Sequence, residues 1–188
     1  MPSFTRAELE SFRDAEVPDL LGADVRLLFV GINPGLWTAA TQTHFAHPAN
    51  RFYPALQLSG ILAHPISPSA GMTDADRDHL RSRGIGITNL VRRATARADE
   101  LTDEELRSGG QRLAELVGRV RPRVVAVLGI TAYRTAFAAR RAVPGRQPEP
   151  FAGAELWVVP NPSGLNAHET VASLAVAYAE PARVAGVL

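Results

Sequence analysis

Two short stretches hold the residue types from which a site could be built. The first begins Gly31-Ile32-Asn33-Pro34-Gly35-Leu36-Trp37-Thr38 and continues at Phe45-Ala46-His47-Pro48-Ala49-Asn50-Arg51-Phe52. The second is Asn161-Pro162-Ser163-Gly164-Leu165-Asn166. In the first, two glycines and a proline fix a tight turn whose backbone N–H groups can face a ligand. Its amide, Asn33, can either close the turn through an Asx bond or position a water. The glycine spacing is neither a dinucleotide fingerprint nor a P-loop, since no Lys follows. Phe45 suits a core position or a platform on which a base could stack. His44 and His47 stand three apart, a zinc spacing on a helix, but Pro48 argues against a helix there and no metal is expected. In the second stretch, small residues, an amide and a hydroxyl suit close passage of a phosphate backbone. Leu165 is either a hydrophobic staple before a helix or an exposed wedge, and the staple's partner would be Thr170, a poor one.

What is missing narrows the chemistry further. The chain has no Cys, so thiol nucleophiles, thiolate-held clusters and disulfides are excluded. All 20 basic residues are Arg, which leaves no side-chain amine for Schiff-base chemistry. From Val25 to Thr73 there is no Asp or Glu, which argues against hydrolysis of an O-glycoside by paired carboxylates and against a hard-metal site in the first loop. A formal net charge of +1 is too balanced to indicate nucleic-acid binding by itself, although Arg suits bidentate phosphate contacts. The first 20 residues are acidic and lack the apolar core of a signal peptide, and no run approaches the roughly 20 apolar residues of a membrane span. A cytoplasmic protein of one domain, 1–188, is expected.

The elements that must position these loops alternate. Apolar runs at Val25–Val30, Ile85–Thr88, Val124–Leu128 and Leu156–Val159 read as buried strands. Helices are expected over Thr5–Ala15, Asn50–Leu58, Thr73–Arg83, from Thr102 onward with Leu106, Leu113, Leu116 and Val117 inward, over Thr131–Arg140, and after Asn166 as cap with Glu169 at the box position. Gly31–Ala49 reads as a long loop, Ala63–Gly71 as a surface excursion and Pro144–Pro150 as a connector. This order predicts an α/β fold with a mainly parallel sheet of about four strands. In such sheets ligands bind beyond the carboxyl ends of the strands, where both loops begin.

Taken together, these residues resemble the mismatch-specific uracil-DNA glycosylase and thymine-DNA glycosylase family. The likeness rests on Gly31-Ile32-Asn33-Pro34-Gly35 and Asn161-Pro162-Ser163-Gly164-Leu165, on Phe45 to Phe52, and on Gly86-Ile87-Thr88-Asn89-Leu90-Val91 through Thr95, over about residues 25–180. Related types that hold a cluster need cysteines this chain lacks. The most active type has an Asp near the first motif and a His where Asn161 stands. The resemblance implies an uracil-DNA glycosylase-like fold and a monofunctional enzyme that flips uracil, thymine or etheno-cytosine out of a duplex opposite guanine and leaves an abasic site.

By the same resemblance, Asn33 and Thr95 are catalytic, Asn33 holding a water against C1′. Ile32, Phe45 and Asn89 meet the base. Thr38, Asn161, Pro162, Ser163, Gly164, Leu165 and Asn166 meet DNA, with Leu165 as the wedge. Asn89 and Thr95 resemble the thymine-active branch. Trp37 is bulkier than the residue usual beside the turn, and Asn166 stands where Ser is common. No cofactor is implied, and the partner is duplex DNA with a damaged or mismatched base, met by a monomer. A damage-binding protein with little turnover, or an unrelated nucleotide-binding α/β enzyme, are the alternatives.

Overall fold

A computed structural model describes residues 3–188; Met1 and Pro2 lie outside the described residues. Five strands form one sheet: β1 (Leu27–Gly31), β2 (Ile85–Asn89), β3 (Val124–Leu128), β4 (Gly145–Arg146) and β5 (Glu155–Val159). Their order is β2-β1-β3-β5-β4. β1 pairs in parallel with β2 and β3, β3 pairs in parallel with β5, and β4 lies antiparallel on the outer edge of β5. The four expected strands are present. The fifth, β4, falls in the stretch read as a connector, because two residues are too few to carry a period-2 signal.

Among the described residues seven α-helices accompany the sheet: α1 (Arg6–Glu10), α2 (Leu36–Thr41), α3 (Phe52–Leu58), α4 (Asp74–Ser82), α5 (Asp103–Val120), α6 (Ile130–Ala136) and α7 (Val171–Ala185). Successive strand residues point to opposite faces, and both faces are covered, so β1, β2 and β3 are buried along their whole length. Leu27 and Phe29 join Phe52, Leu56, Leu174 and Tyr178 in one core layer. Leu28 and Val30 join Leu106, Leu113, Val117 and Tyr133 in the other. The two layers pack the sheet between α3 and α7 on one side and α5 and α6 on the other.

The caps explain where helices start. Thr5 with Glu8, Thr73 with Asp76 and Thr102 with Glu105 each close a capping box. α1 ends at Glu10, earlier than the expected Ala15, and α6 at Ala136, earlier than Arg140. Asn166 does not cap the last helix. Thr170 does, accepting from Ser173 N. The staple reading of Leu165 falls with that correction, since the position it needed as a partner is the cap itself. Gly31–Ala49 is not all loop either, for α2 lies within it.

Candidate active site

The strand order reverses between β1 and β3, which opens a crevice beyond their carboxyl ends. Ile32 and Asn161 both lie close to Gly129, just after β3, where an added Cβ would stand 3.5 Å from Ile32 Cδ1 and 3.7 Å from Asn161 Cβ. The segment after β2 runs beside the first loop. Leu90 N–H donates to Gly31 O, Val91 N–H to Ile32 O and Thr95 N–H to Pro34 O. Backbone pairing therefore brings Asn89 and Thr95 alongside the Gly31–Gly35 turn, 60 residues away in the chain.

Asn33 is held by its nitrogen. Nδ2 donates to Pro34 O at 3.1 Å, Arg93 O at 3.1 Å and Thr95 Oγ1 at 2.7 Å. The two carbonyls can only accept, and the Thr95 hydroxyl spends its proton on Arg97 O at 2.7 Å. The amide can therefore sit only one way round, with Oδ1 directed elsewhere. Oδ1 has no hydrogen bond among the described residues, yet it is not sealed from solvent. The Arg93 carbonyl is itself anchored, because its guanidinium grips the Glu105 carboxylate through two nitrogens and Asp14 at 3.0 Å. That pairing raises the Arg93 pKa and pulls Glu105 down to about 2. The result is a rigid acceptor that can hold a water but cannot take its proton.

Asn89 ends β2 and is 7% exposed. Its Nδ2 lies 3.2 Å from His44 Nδ1, and His44 Nε2 lies 2.9 Å from Pro18 O. A Cβ on Gly31 would collide with Asn89 Oδ1 and stand 3.2 Å from Phe45 Cζ, so only Gly leaves room for both side chains at the end of β1. Phe45 adopts φ +56°, a left-handed conformation that turns its ring onto Phe52, 4.1 Å between centroids. The partly buried ring packs against the core, and its edge lies beside Gly31.

The second loop projects Leu165, 84% exposed, on a braced support. Asn161 Oδ1 accepts from Ser163 N at 3.0 Å, Ser163 O from Asn166 N at 3.0 Å, and Asn161 O from Asn166 Nδ2 at 3.0 Å. Arg51 clamps the whole loop. Its guanidinium donates to the carbonyls of Ser163, Asn166 and Glu169, and its N–H donates to Pro162 O at 3.0 Å. Gly164 rides so close to Ala49 that a Cβ would stand 2.8 Å from Ala49 O. Thr38, in α2, is 5% exposed. Trp37 Nε1 donates to Ser69 O at 3.0 Å, and its ring meets Phe4 edge-on, so its bulk ties the 68–70 turn to the site.

Sequence reasoning missed His44, Arg51 and Arg93 as parts of this assembly. Arg51 stood inside a quoted motif, and its charge in an otherwise apolar stretch was the available signal. His44 is buried and fully engaged, and among the described residues no three side chains are grouped to bind a metal. Among those residues, too, no helix is long and apolar enough to cross a membrane.

Comparison with known proteins agrees with this arrangement. Residues 18–180 match the model of the Uracil DNA glycosylase superfamily. A solution NMR structure from Methanosarcina acetivorans, described as a candidate uracil DNA glycosylase, shares 17% identity at a TM-score of 0.62, over 89% of this chain and 97% of that one. At that identity the structure speaks for the fold. The family match, spanning the sheet, the Asn33 turn and the braced loop, means that the chain belongs to the uracil DNA glycosylase superfamily.

Proposed function

We propose that this protein is a monofunctional DNA glycosylase that excises uracil, and more slowly thymine or etheno-cytosine, from opposite guanine in duplex DNA. The carrying observation is the Asn33 amide, two residues after β1, its nitrogen fixed by three acceptors and its Oδ1 without a hydrogen bond among the described residues. Extruding a base costs a few kcal/mol, least at a mismatch, and the rigidly held Leu165 fits the role of filling the vacated stack. In this reading Phe45 stacks on the base, and Asn89 Oδ1 accepts from it. The N1–C1′ bond breaks towards an oxocarbenium-like cation, the electron pair leaves with the base, and a water held by Asn33 adds to C1′ and sheds its proton to solvent. With no carboxylate between Val25 and Thr73 to act as base, the reaction depends on positioning and favours good leaving groups.

The protein acts as a monomer and releases an intact strand carrying an abasic site. A lyase step needs an amine, the chain has no Lys, and Arg stays protonated. The test is a labelled duplex with one G·U pair, followed as a time course with enzyme in excess and then with substrate in excess. Alkali-labile sites forming in both regimes support a glycosylase, and tight binding without cleavage at excess enzyme makes it a damage-binding protein instead. Borohydride is expected to trap no covalent complex. Efficient trapping would point to the amino terminus at Met1 or Pro2.

A further inference from the structure

The turn at residues 47–50 carries an exposed imidazole, His47, in a stretch that offers it no carboxylate, since no residue from Val25 to Thr73 is acidic. The ring stands between the two loops of the site. On one side is Trp37, four residues after Asn33, whose ring meets that of His47 nearly edge-on at 5.7 Å between centroids. On the other is Ala49, over which Gly164 rides, and Arg51 N–H ties the end of the same turn to Pro162 O at 3.0 Å. On the glycosylase reading above, which this inference deepens, the Asn33 turn meets the sugar and Leu165 enters the stack. The phosphates of the damaged strand then pass over the ground between them.

We propose that His47 binds a DNA phosphate next to the extruded nucleotide through a fixed Nε2–H donor, held in place by Ala49 and Trp37. The tautomer follows from the turn. Ala49 N–H can only donate, and it meets His47 Nδ1 at 3.1 Å, so that nitrogen must offer a lone pair. In the neutral ring the proton is then on Nε2, which has no hydrogen bond among the described residues. Asn50 N–H donates to the His47 carbonyl at 2.8 Å, which closes the turn and fixes the backbone beneath the ring. Trp37 limits the ring's tilt and is itself anchored. Its indole N–H donates to Ser69 O at 3.0 Å, and Phe4 packs edge-on against it, 4.9 Å between centroids. The bulk of Trp37 thereby has a use, since a small side chain in its place would leave the imidazole free to turn.

A phosphate is the acceptor that fits. The free atom of the ring is a lone donor on an exposed turn, and a base edge is read by paired groups reaching into a groove. A phosphate oxygen carries charge, accepts from many directions and is present whatever the sequence, so one well-held N–H suffices. The donor is already confined, so it loses little side-chain freedom on meeting its acceptor, and a hydrogen bond to an anionic oxygen is among the stronger kinds. The contact holds the strand and takes no part in breaking the N1–C1′ bond. It acts on affinity and on KM, and leaves base release at saturating protein unchanged.

The test uses the full chain and a duplex whose uracil, opposite guanine, sits on a 2′-fluoro-arabino sugar that resists cleavage, so that binding is read apart from catalysis. The phosphates flanking the uridine are replaced one at a time by uncharged methylphosphonate. The native protein is expected to lose about tenfold in affinity at one of these positions. His47→Ala is expected to lose about tenfold on the unmodified duplex, and less than about twofold more at that same position, while at the other positions the two losses add. Its melting temperature should match that of the native protein, because the ring is exposed. Additive losses at every phosphate overturn the proposal, as does unchanged affinity of His47→Ala for the unmodified duplex. Nuclear magnetic resonance of the ring nitrogens at pH 8, without DNA, is expected to show His47 neutral and protonated on Nε2, and a proton on Nδ1 overturns the assignment. A native protein that binds this duplex but releases no uracil from an ordinary one fails the glycosylase reading, and the coupling between ring and phosphate still decides His47.

Discussion

Asn33 has two amide protons and three acceptors around them, so its orientation does not depend on any one partner. Removing the side chain takes away the open oxygen without touching the Asn161–Asn166 loop. Asn33→Ala should slow single-turnover base release by about 10²-fold, in line with losing one preorganised group, while duplex affinity measured by anisotropy stays within about twofold. Gly31→Ala is the sharper structural test, because its methyl must displace Asn89 or Phe45. We expect it to weaken uracil excision at least as much as Asn89→Ala does. Asn33, Asn161 and Leu165 were legible in the sequence because each is an unusual type for its place: an amide at a strand tip, and an apolar side chain in a polar loop. His44 was not. Its partners are Pro18 and Asn89, distant along the chain, and no local spacing announces a hydrogen bond relayed between them.

At the scale of elements, the start of α7 departs from the sequence expectation, which put the cap at Asn166. Thr170 and Asn166 are both residue types that cap helices, and only the former does so. Thr170→Ala should lower stability by about 1 kcal/mol in denaturant titration. Asn166→Ala should instead loosen the loop, through its bond to Asn161 O, and leave the helix content unchanged. Leu165→Ala should leave the melting temperature alone, since so exposed a side chain contributes no core, and should reduce discrimination between mismatched and paired duplex. The strands and the longer helices were readable because burial on both faces writes long apolar runs and capping boxes mark their borders. α2 was not readable. Gly35 caps it without a side chain, and Leu36–Thr41 has no charged face to set against its buried one.

For the molecule as a whole, acid is the informative perturbation. His44 is held neutral by burial, below its usual 6.5, so the unfolded chain binds a proton that the folded chain refuses. The stability it contributes is complete above about pH 6.5 and is lost as pH falls towards its folded value. Glu105, at about 2 against a usual 4.5, contributes above pH 4.5 and loses that contribution as pH falls towards 2. Thermal melts from pH 8 to pH 3 should therefore decline in two stages. His44→Asn should flatten part of the first, the rest belonging to His79, whose pKa burial also lowers. Arg93→Met should remove much of the second.

The Arg51 clamp has a consequence for how the protein meets proteases. An exposed loop with a leucine at its tip is ordinarily the first place a chain is nicked, because cleavage requires the backbone to leave its fold and lie extended in the enzyme. Here the carbonyls of Ser163, Asn166 and Glu169 are all held by one guanidinium. Chymotrypsin should find Leu165 in plain view and fail to cut beside it in the native protein. Arg51→Met should convert the same bond into the preferred early cleavage site, with the sheet still intact in the fragments.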